Sequence, residues 1–158
     1  MKTIAKTTIR ENLRSLDKLF VSSRSAKKAL FYSKLAILEL CGWIEETMDR
    51  VVRSCATRNL KDQYNRKFIE EKVIKTTHGL GYRESLRHMF IQVIGLRGIE
   101  IVERSMDDAT LQVLRSTLGS LKETRNEQAH THLRGVSQWF HDASLPNCCA
   151  ASVGSAPR

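Results

Sequence analysis

The sequence predicts an all-α fold, a bundle of four to five helices with short connections in one domain. Apolar residues recur at steps of three and four over most of the chain, which is helical spacing. No segment in the body of the chain alternates polar and apolar residues with a period of two, so no strand is expected. The 158 residues include only two prolines, both among the last thirteen, which permits long uninterrupted helices.

The first two predicted helices cover the N-terminal part of the chain. Residues 7–21 place Ile9, Leu13 and Leu16 on one side of a short amphipathic helix. A longer helix is predicted from Ala26 to about residue 58, because one of its faces is apolar along its whole length. That face comprises Leu30, Ser33, Ile37, Leu40, Cys41, Ile44, Met48, Val51, Val52 and Cys55.

Three further helices complete the predicted bundle. Residues 60–75 form a more charged helix, and the paired glycines of HGLG at 78–81 end this pattern. A fourth helix is predicted over residues 82–103. The sequence SMDD at 105–108 is typical of a helix start, with Ser105 as the N-cap. The last helix passes through Leu111, Leu114, Leu118 and Leu121 into the hexamer RNEQAH at 125–130.

The composition indicates where the helical domain ends and which class of partner it binds. The helical domain is predicted over residues 1–142, and residues 143–158, with both prolines and no periodicity, are predicted to be a disordered tail. Lys and Arg number 26 against 17 Asp and Glu, a net charge of +9, which favours a polyanion such as RNA or DNA. No run approaches the roughly 18 apolar residues of a membrane span.

The four cysteines show no CxxC spacing. A reduced, cytoplasmic protein without a bound metal or cofactor is therefore expected.

The hexamer RNEQAH holds the candidate site. The leucine face of the last helix leads directly to Arg125, so a permanently charged guanidinium occupies a position where an apolar residue is expected. Burying it alone would be costly, so it must meet a partner, a groove or a ligand. Asn126 and His130 are four residues apart and share a neighbouring face. The alternative interpretation is a solvated helix face without chemistry.

These side chains suit cleavage of RNA without a metal. His130 can exchange a proton with a ribose 2′-hydroxyl or the leaving oxygen. Arg125 can hold the scissile phosphate, and Asn126 can orient the imidazole or the phosphate. One helix face supplies a single histidine here, so a homodimer that brings two faces together is part of the hypothesis. His132 lies nearer the apolar face and is interpreted as a partly buried histidine.

Arg125-Asn126-x-x-x-His130, late in an all-α chain, resembles the R-x(4–6)-H motif of the HEPN superfamily (higher eukaryote and prokaryote nucleotide-binding domains). The segments LELCGWIEET at 38–47 and AHTHLRGV at 129–136 are similar to the long second helix of the prokaryotic branches and to their continuation past the motif. The resemblance covers roughly residues 5–140.

The resemblance implies a metal-independent endoribonuclease that acts as a homodimer, often as a toxin or defence effector. It implies catalytic roles for Arg125, Asn126 and His130, and an auxiliary role for Glu45 or Glu46; His132 is a further auxiliary candidate. An antitoxin or a nucleotidyltransferase is an expected kind of partner. Relatives usually carry another helix after the motif, where this chain has its tail.

Two other functions stay open at this point. A HEPN-like bundle can be an inactive adaptor or an antitoxin-binding module, because fold does not fix function. The G-x-x-G at Gly95–Gly98 resembles the backbone-clamping loop of a KH nucleic-acid-binding domain. A KH fold requires strands, whereas both flanks are predicted to be helical, so two small residues that allow close helix packing are the preferred interpretation.

Overall fold

A computed structural model of the chain describes residues 6–129, and this part is helical with no strand. It contains five α-helices: α1 (Lys6–Ser22), α2 (Ala26–Asn59), α3 (Gln63–Phe68), α4 (His88–Ser105) and α5 (Asp108–Ala129). A π-helical segment, Ile69–Ile74, continues α3, and another, Tyr82–Arg87, leads into α4. The all-α prediction is thus confirmed for these residues, and the predicted tail lies outside them.

The core lies where the C-terminal half of α2 meets the later helices. Val52 and Met89 are almost completely inaccessible to solvent at its centre. The buried cluster is formed by Met48, Val52, Ala56, Ile69, Val73, Ile74, Tyr82, Met89, Val93, Leu111 and Leu118. Helix α1 contributes nothing to this cluster and packs instead along α2, to which three residues join it. The long α2 therefore contacts α1, α4, α5 and the π-helical segment Ile69–Ile74.

The start of α5 differs from the prediction. Ser105 is the last residue of α4, and its hydroxyl donates to the carbonyl of Val102 at 2.7 Å. Asp107 caps α5 instead, because its Oδ1 accepts from the backbone N–H of Thr110 at 2.9 Å and its other oxygen accepts from the Thr110 hydroxyl. Ser105 as N-cap was therefore wrong, since a serine bonded back to its own helix cannot cap the next one.

Gly95 interrupts α4 with a backbone that only glycine adopts readily. Its φ of 74° and ψ of 171° lie far from helical values. Three residues later, a Cβ on Gly98 would lie 2.8 Å from the Cβ of Ile94, whereas a Cβ on Gly95 would meet nothing within 4 Å. Ile94 belongs to α4 itself, so this contact does not show close packing between two helices, and Gly95 has no close neighbour at all. Gly95 makes a kink, and no strand flanks it within residues 6–129.

Alanine at Gly95 is expected to destabilise the protein by about 2 kcal/mol, because an L-residue is strained at this φ and ψ although space is available. The matched control is Gly42→Ala in α2, where a Cβ also meets nothing within 4 Å and the backbone is helical. That change should stabilise by up to about 1 kcal/mol. Urea unfolding of both variants measures the two effects, and a neutral Gly95→Ala would contradict the strain argument.

Candidate functional site

The apolar face of α5 turns polar at Arg125. Leu111 and Leu118 are buried against the core, and Leu114 packs on it partly exposed. Two turns beyond Leu118, the side chain of Arg125 is 37% exposed. Since this face of α5 lies against α2, the guanidinium is held at the edge of the interface between the two helices.

Arg125 meets a carboxylate of α2. Its Nη1 donates to Oε1 of Glu45 at 2.7 Å, and the Glu45 side chain is 32% exposed. The expectation that Arg125 needs a partner is thereby confirmed. Glu46 pairs instead with Arg50, which lies one turn later in α2; the distance from Oε1 of Glu46 to Nε of Arg50 is 3.0 Å. Of the two acidic residues considered for an auxiliary role, only Glu45 contacts Arg125.

A buried cysteine lies close to this ion pair. Cys41 precedes Glu45 by one helical turn and is 1% exposed. Burial raises the pKa of its thiol, the charge of Arg125 opposes that shift, and Glu45 adds to it. The thiol therefore stays protonated at neutral pH, which makes Cys41 a poor nucleophile.

Glu45 also lines a small cavity of about 170 Å³ between α2 and the segment at residues 74–79. Asp49, Lys75 and His78 also line it, and the sequence did not indicate any of the three as a site residue. Burial raises the pKa of Asp49, Arg53 opposes this, and nearby carboxylates including Glu46 and Glu45 raise it further. Glu45, Asp49 and His78 thus line one cavity. The sequence feature that could have predicted the two acids is their i, i+4 spacing in EETMD at 45–49, which places them on one helix face.

Asn126 opens onto a different groove, of about 340 Å³, between α5 and the start of the helix at Tyr82. Asn126 is exposed, and the groove extends from it along α5 to Arg115. Lys122 and Arg83 line this groove and form no ion pair with any residue between 6 and 129. Glu84 and Glu123 line it as well, so the groove beside Asn126 is mixed in charge.

His130 and His132 lie outside the described residues, so the shared face of Asn126 and His130 stays a prediction. Among residues 6–129, no three His, Cys, Asp or Glu side chains approach closely enough to hold a metal ion. In the same range, no helix combines the length and the apolar character needed to cross a bilayer.

Comparison of the chain with models of protein families, with curated proteins and with solved structures finds no match.

Proposed function

We propose that the protein is a metal-independent endoribonuclease of HEPN type that acts as a homodimer, in a toxin or defence role. The carrying observation is Arg125, a half-exposed guanidinium held by Glu45 where the core-facing side of α5 should be apolar. Its hydrogen bond to Glu45 uses one N–H, whereas a guanidinium has five. Donors thus remain for a phosphate, and the ion pair fixes the direction in which they point.

The proposed reaction is attack of a ribose 2′-oxygen on the adjacent phosphorus. His130 accepts the 2′-hydroxyl proton as the O2′–P bond forms, and the bond from phosphorus to the 5′-oxygen breaks. A second proton-transfer group, the partner subunit's His130, protonates the leaving 5′-oxygen. Arg125 stabilises the charge on the phosphoryl oxygens, and Asn126 orients the phosphate. The products are a 2′,3′-cyclic phosphate and a 5′-hydroxyl.

The same ion pair favours a second candidate, a HEPN-like module without catalysis that binds an antitoxin or another protein. Glu45 neutralises the charge of Arg125, and an ion pair of this kind can also connect two helices without any role in catalysis. In that case the groove beside Asn126 would serve protein contacts. A KH module is disfavoured, because its strands are absent from residues 6–129.

Cleavage of total RNA in excess EDTA separates these candidates. Wild-type protein is expected to cleave, and His130→Ala should lower the rate about a hundredfold or more, the size expected for losing a general acid–base group. His132→Ala should instead lower the thermal midpoint while cleavage per folded molecule is retained. Cleavage that is lost only in EDTA contradicts the metal-independent mechanism, whereas RNA left intact both in EDTA and with added Mg²⁺ favours the non-catalytic module. Loss of cleavage in a folded His132→Ala variant would exchange the two roles.

A further inference from the structure

The positive charge of this protein is concentrated at one end of the sequence. Residues 1–28 contain eight Lys and Arg against two Asp and Glu, whereas the other 130 residues contain eighteen against fifteen. Six of the nine net positive charges therefore belong to less than a fifth of the chain. This segment contains all of α1, which the proposed catalytic site does not use.

Four cations form a row along α1. Lys6, Arg10, Arg14 and Lys18 are spaced one every four residues, and each is exposed. A step of four residues in a helix rises about 6 Å, so the row extends over about 18 Å. Successive members are rotated by only about 40° around the axis, which keeps them on one side of the helix. We call these four residues the α1 basic row.

The row has no acidic ion-pair partner among residues 6–129, and its regular spacing along one helix sets it apart from the other unpaired cations. Seven ion pairs link residues of α2, α4, α5 and the segments around them, and none of them involves α1 within residues 6–129. Glu11 and Asp17 each lie three residues from Arg14 in the same helix, but neither forms an ion pair with the row. The four cations therefore face solvent without an ion-pair contact, and a polyanion can approach them.

We propose that the α1 basic row binds the phosphodiester backbone of RNA. Cations that repeat every 6 Å or so can each neutralise a phosphate and release its counterions. Such contacts are independent of base sequence and hold the strand rather than cut it. That the polyanion is RNA rests on the proposed function, whereas binding of a phosphodiester strand rests on the row itself.

The apolar side of α1 argues against a lipid surface as the partner of the row. A basic amphipathic helix binds a membrane by inserting its apolar face. In α1 that face is already packed on α2, and Ile9 at its centre is buried. Insertion would require α1 to leave α2, whereas phosphate contacts require no rearrangement. The exposed row thus fits a phosphodiester strand better than a bilayer.

The test measures binding without cleavage. The probe is a fluorescent 20-nucleotide 2′-O-methyl RNA, which has no free 2′-hydroxyl to attack the phosphate, and the readout is anisotropy against salt concentration. The full-length variant carries Lys6→Gln, Arg10→Gln, Arg14→Gln and Lys18→Gln, which keep side-chain length and helix preference. Its affinity should fall about tenfold or more near 0.1 M salt, and the slope of log K against log salt should shrink by about 3.

The matched control removes four other exposed cations, so that the total charge changes equally. It carries Arg58→Gln, Lys61→Gln, Lys72→Gln and Arg97→Gln, none of which forms an ion pair within residues 6–129. Circular dichroism and thermal unfolding establish that both variants are folded. The control should bind within about threefold of wild type, since it keeps the row.

Three results would overturn the proposal. One is wild-type affinity in the folded row variant, and another is an equal loss in the row and control variants, which would mean that total charge alone matters. The third is tighter binding to phosphatidylcholine–phosphatidylserine vesicles than to RNA, lost only in the row variant. A protein that binds through the row but cleaves nothing would overturn the nuclease proposal and leave the row as a binding surface.

Discussion

Arg125→Ala is expected to lower RNA cleavage about a hundredfold or more, because a guanidinium aimed at the scissile phosphate stabilises charge that develops in the transition state. Arg125→Lys should lose less than Arg125→Ala, since an ammonium keeps the charge but lacks the planar fork that binds phosphate through two N–H groups. Single-turnover cleavage of a defined RNA, normalised to folded protein, measures both effects.

Glu45 tests whether the ion pair has a role in the reaction. Glu45→Gln removes the negative charge that holds Arg125 at 2.7 Å, so we expect slower cleavage, by a smaller factor than for Arg125→Ala. The double variant Glu45→Gln/Arg125→Ala should cleave no more slowly than Arg125→Ala alone, because a positioning residue has nothing left to position. Independent, additive losses would show that Glu45 acts in another way.

Arg53→Ala is the matched control for Arg125. Its side chain is 43% exposed and pairs with Glu70 at 2.8 Å, and it lies about two helical turns beyond Glu45 along α2. It should retain wild-type cleavage. If Arg125→Ala lowers only the thermal midpoint and cleaves at the wild-type rate per folded molecule, the pair with Glu45 is structural and the site assignment fails.

Helix periodicity predicted most of the fold because it records which side chains face the core. The second helix was expected from Ala26 to about residue 58 and ends at Asn59, and the first was expected over 7–21 and covers Lys6–Ser22. Local backbone geometry was harder to predict. Ser105 was predicted to be the N-cap of α5, whereas Asp107 is the residue that caps it. Either residue could precede the helix, and only the geometry of the turn decides which side-chain oxygen reaches the N–H of Thr110.

The candidate site was predictable where it depended on one helix and not where it depended on two. The leucine face predicted that Arg125 would need a partner, and this required only the period of α5. Choosing Glu45 over Glu46 required the rotation of α2 against α5, which packing sets. His78 and Asp49 line the same cavity although they are 29 residues apart in sequence, and no local pattern predicts this.

A second large effect is expected at Glu103, near the end of α4. Its Oε1 accepts from the Tyr82 hydroxyl at 2.8 Å and from Nε of Arg87 at 2.9 Å, and Arg115 of α5 lies 3.5 Å away. The guanidinium of Arg115 also lies 5.2 Å from the centre of the Tyr82 ring. One carboxylate thus ties the helix start at Tyr82, the end of α4 and the middle of α5 together.

Glu103→Ala should destabilise the protein by about 3 kcal/mol, because two arginines and a tyrosine lose their shared acceptor in a place where the carboxylate is only 14% exposed. The control is Glu100→Ala, one turn earlier in α4, whose side chain is 55% exposed and pairs with an 81% exposed Arg104. That exposed pair should contribute less than about 0.5 kcal/mol. Urea unfolding at pH 7 compares the two, and equal losses would contradict a central role for Glu103.

The pH dependence gives the same network a second readout. The hydrogen bond from Arg87, followed by that from Tyr82, lowers the pKa of Glu103 in the folded protein, against an opposing effect of burial. A lowered pKa contributes stability above the carboxyl's unfolded value, about 4.3, and that contribution is lost as pH falls through the folded value. Wild-type stability should therefore fall more steeply below about pH 4.3 than that of Glu103→Ala. Parallel curves would mean that the folded carboxylate titrates as it does in the unfolded chain.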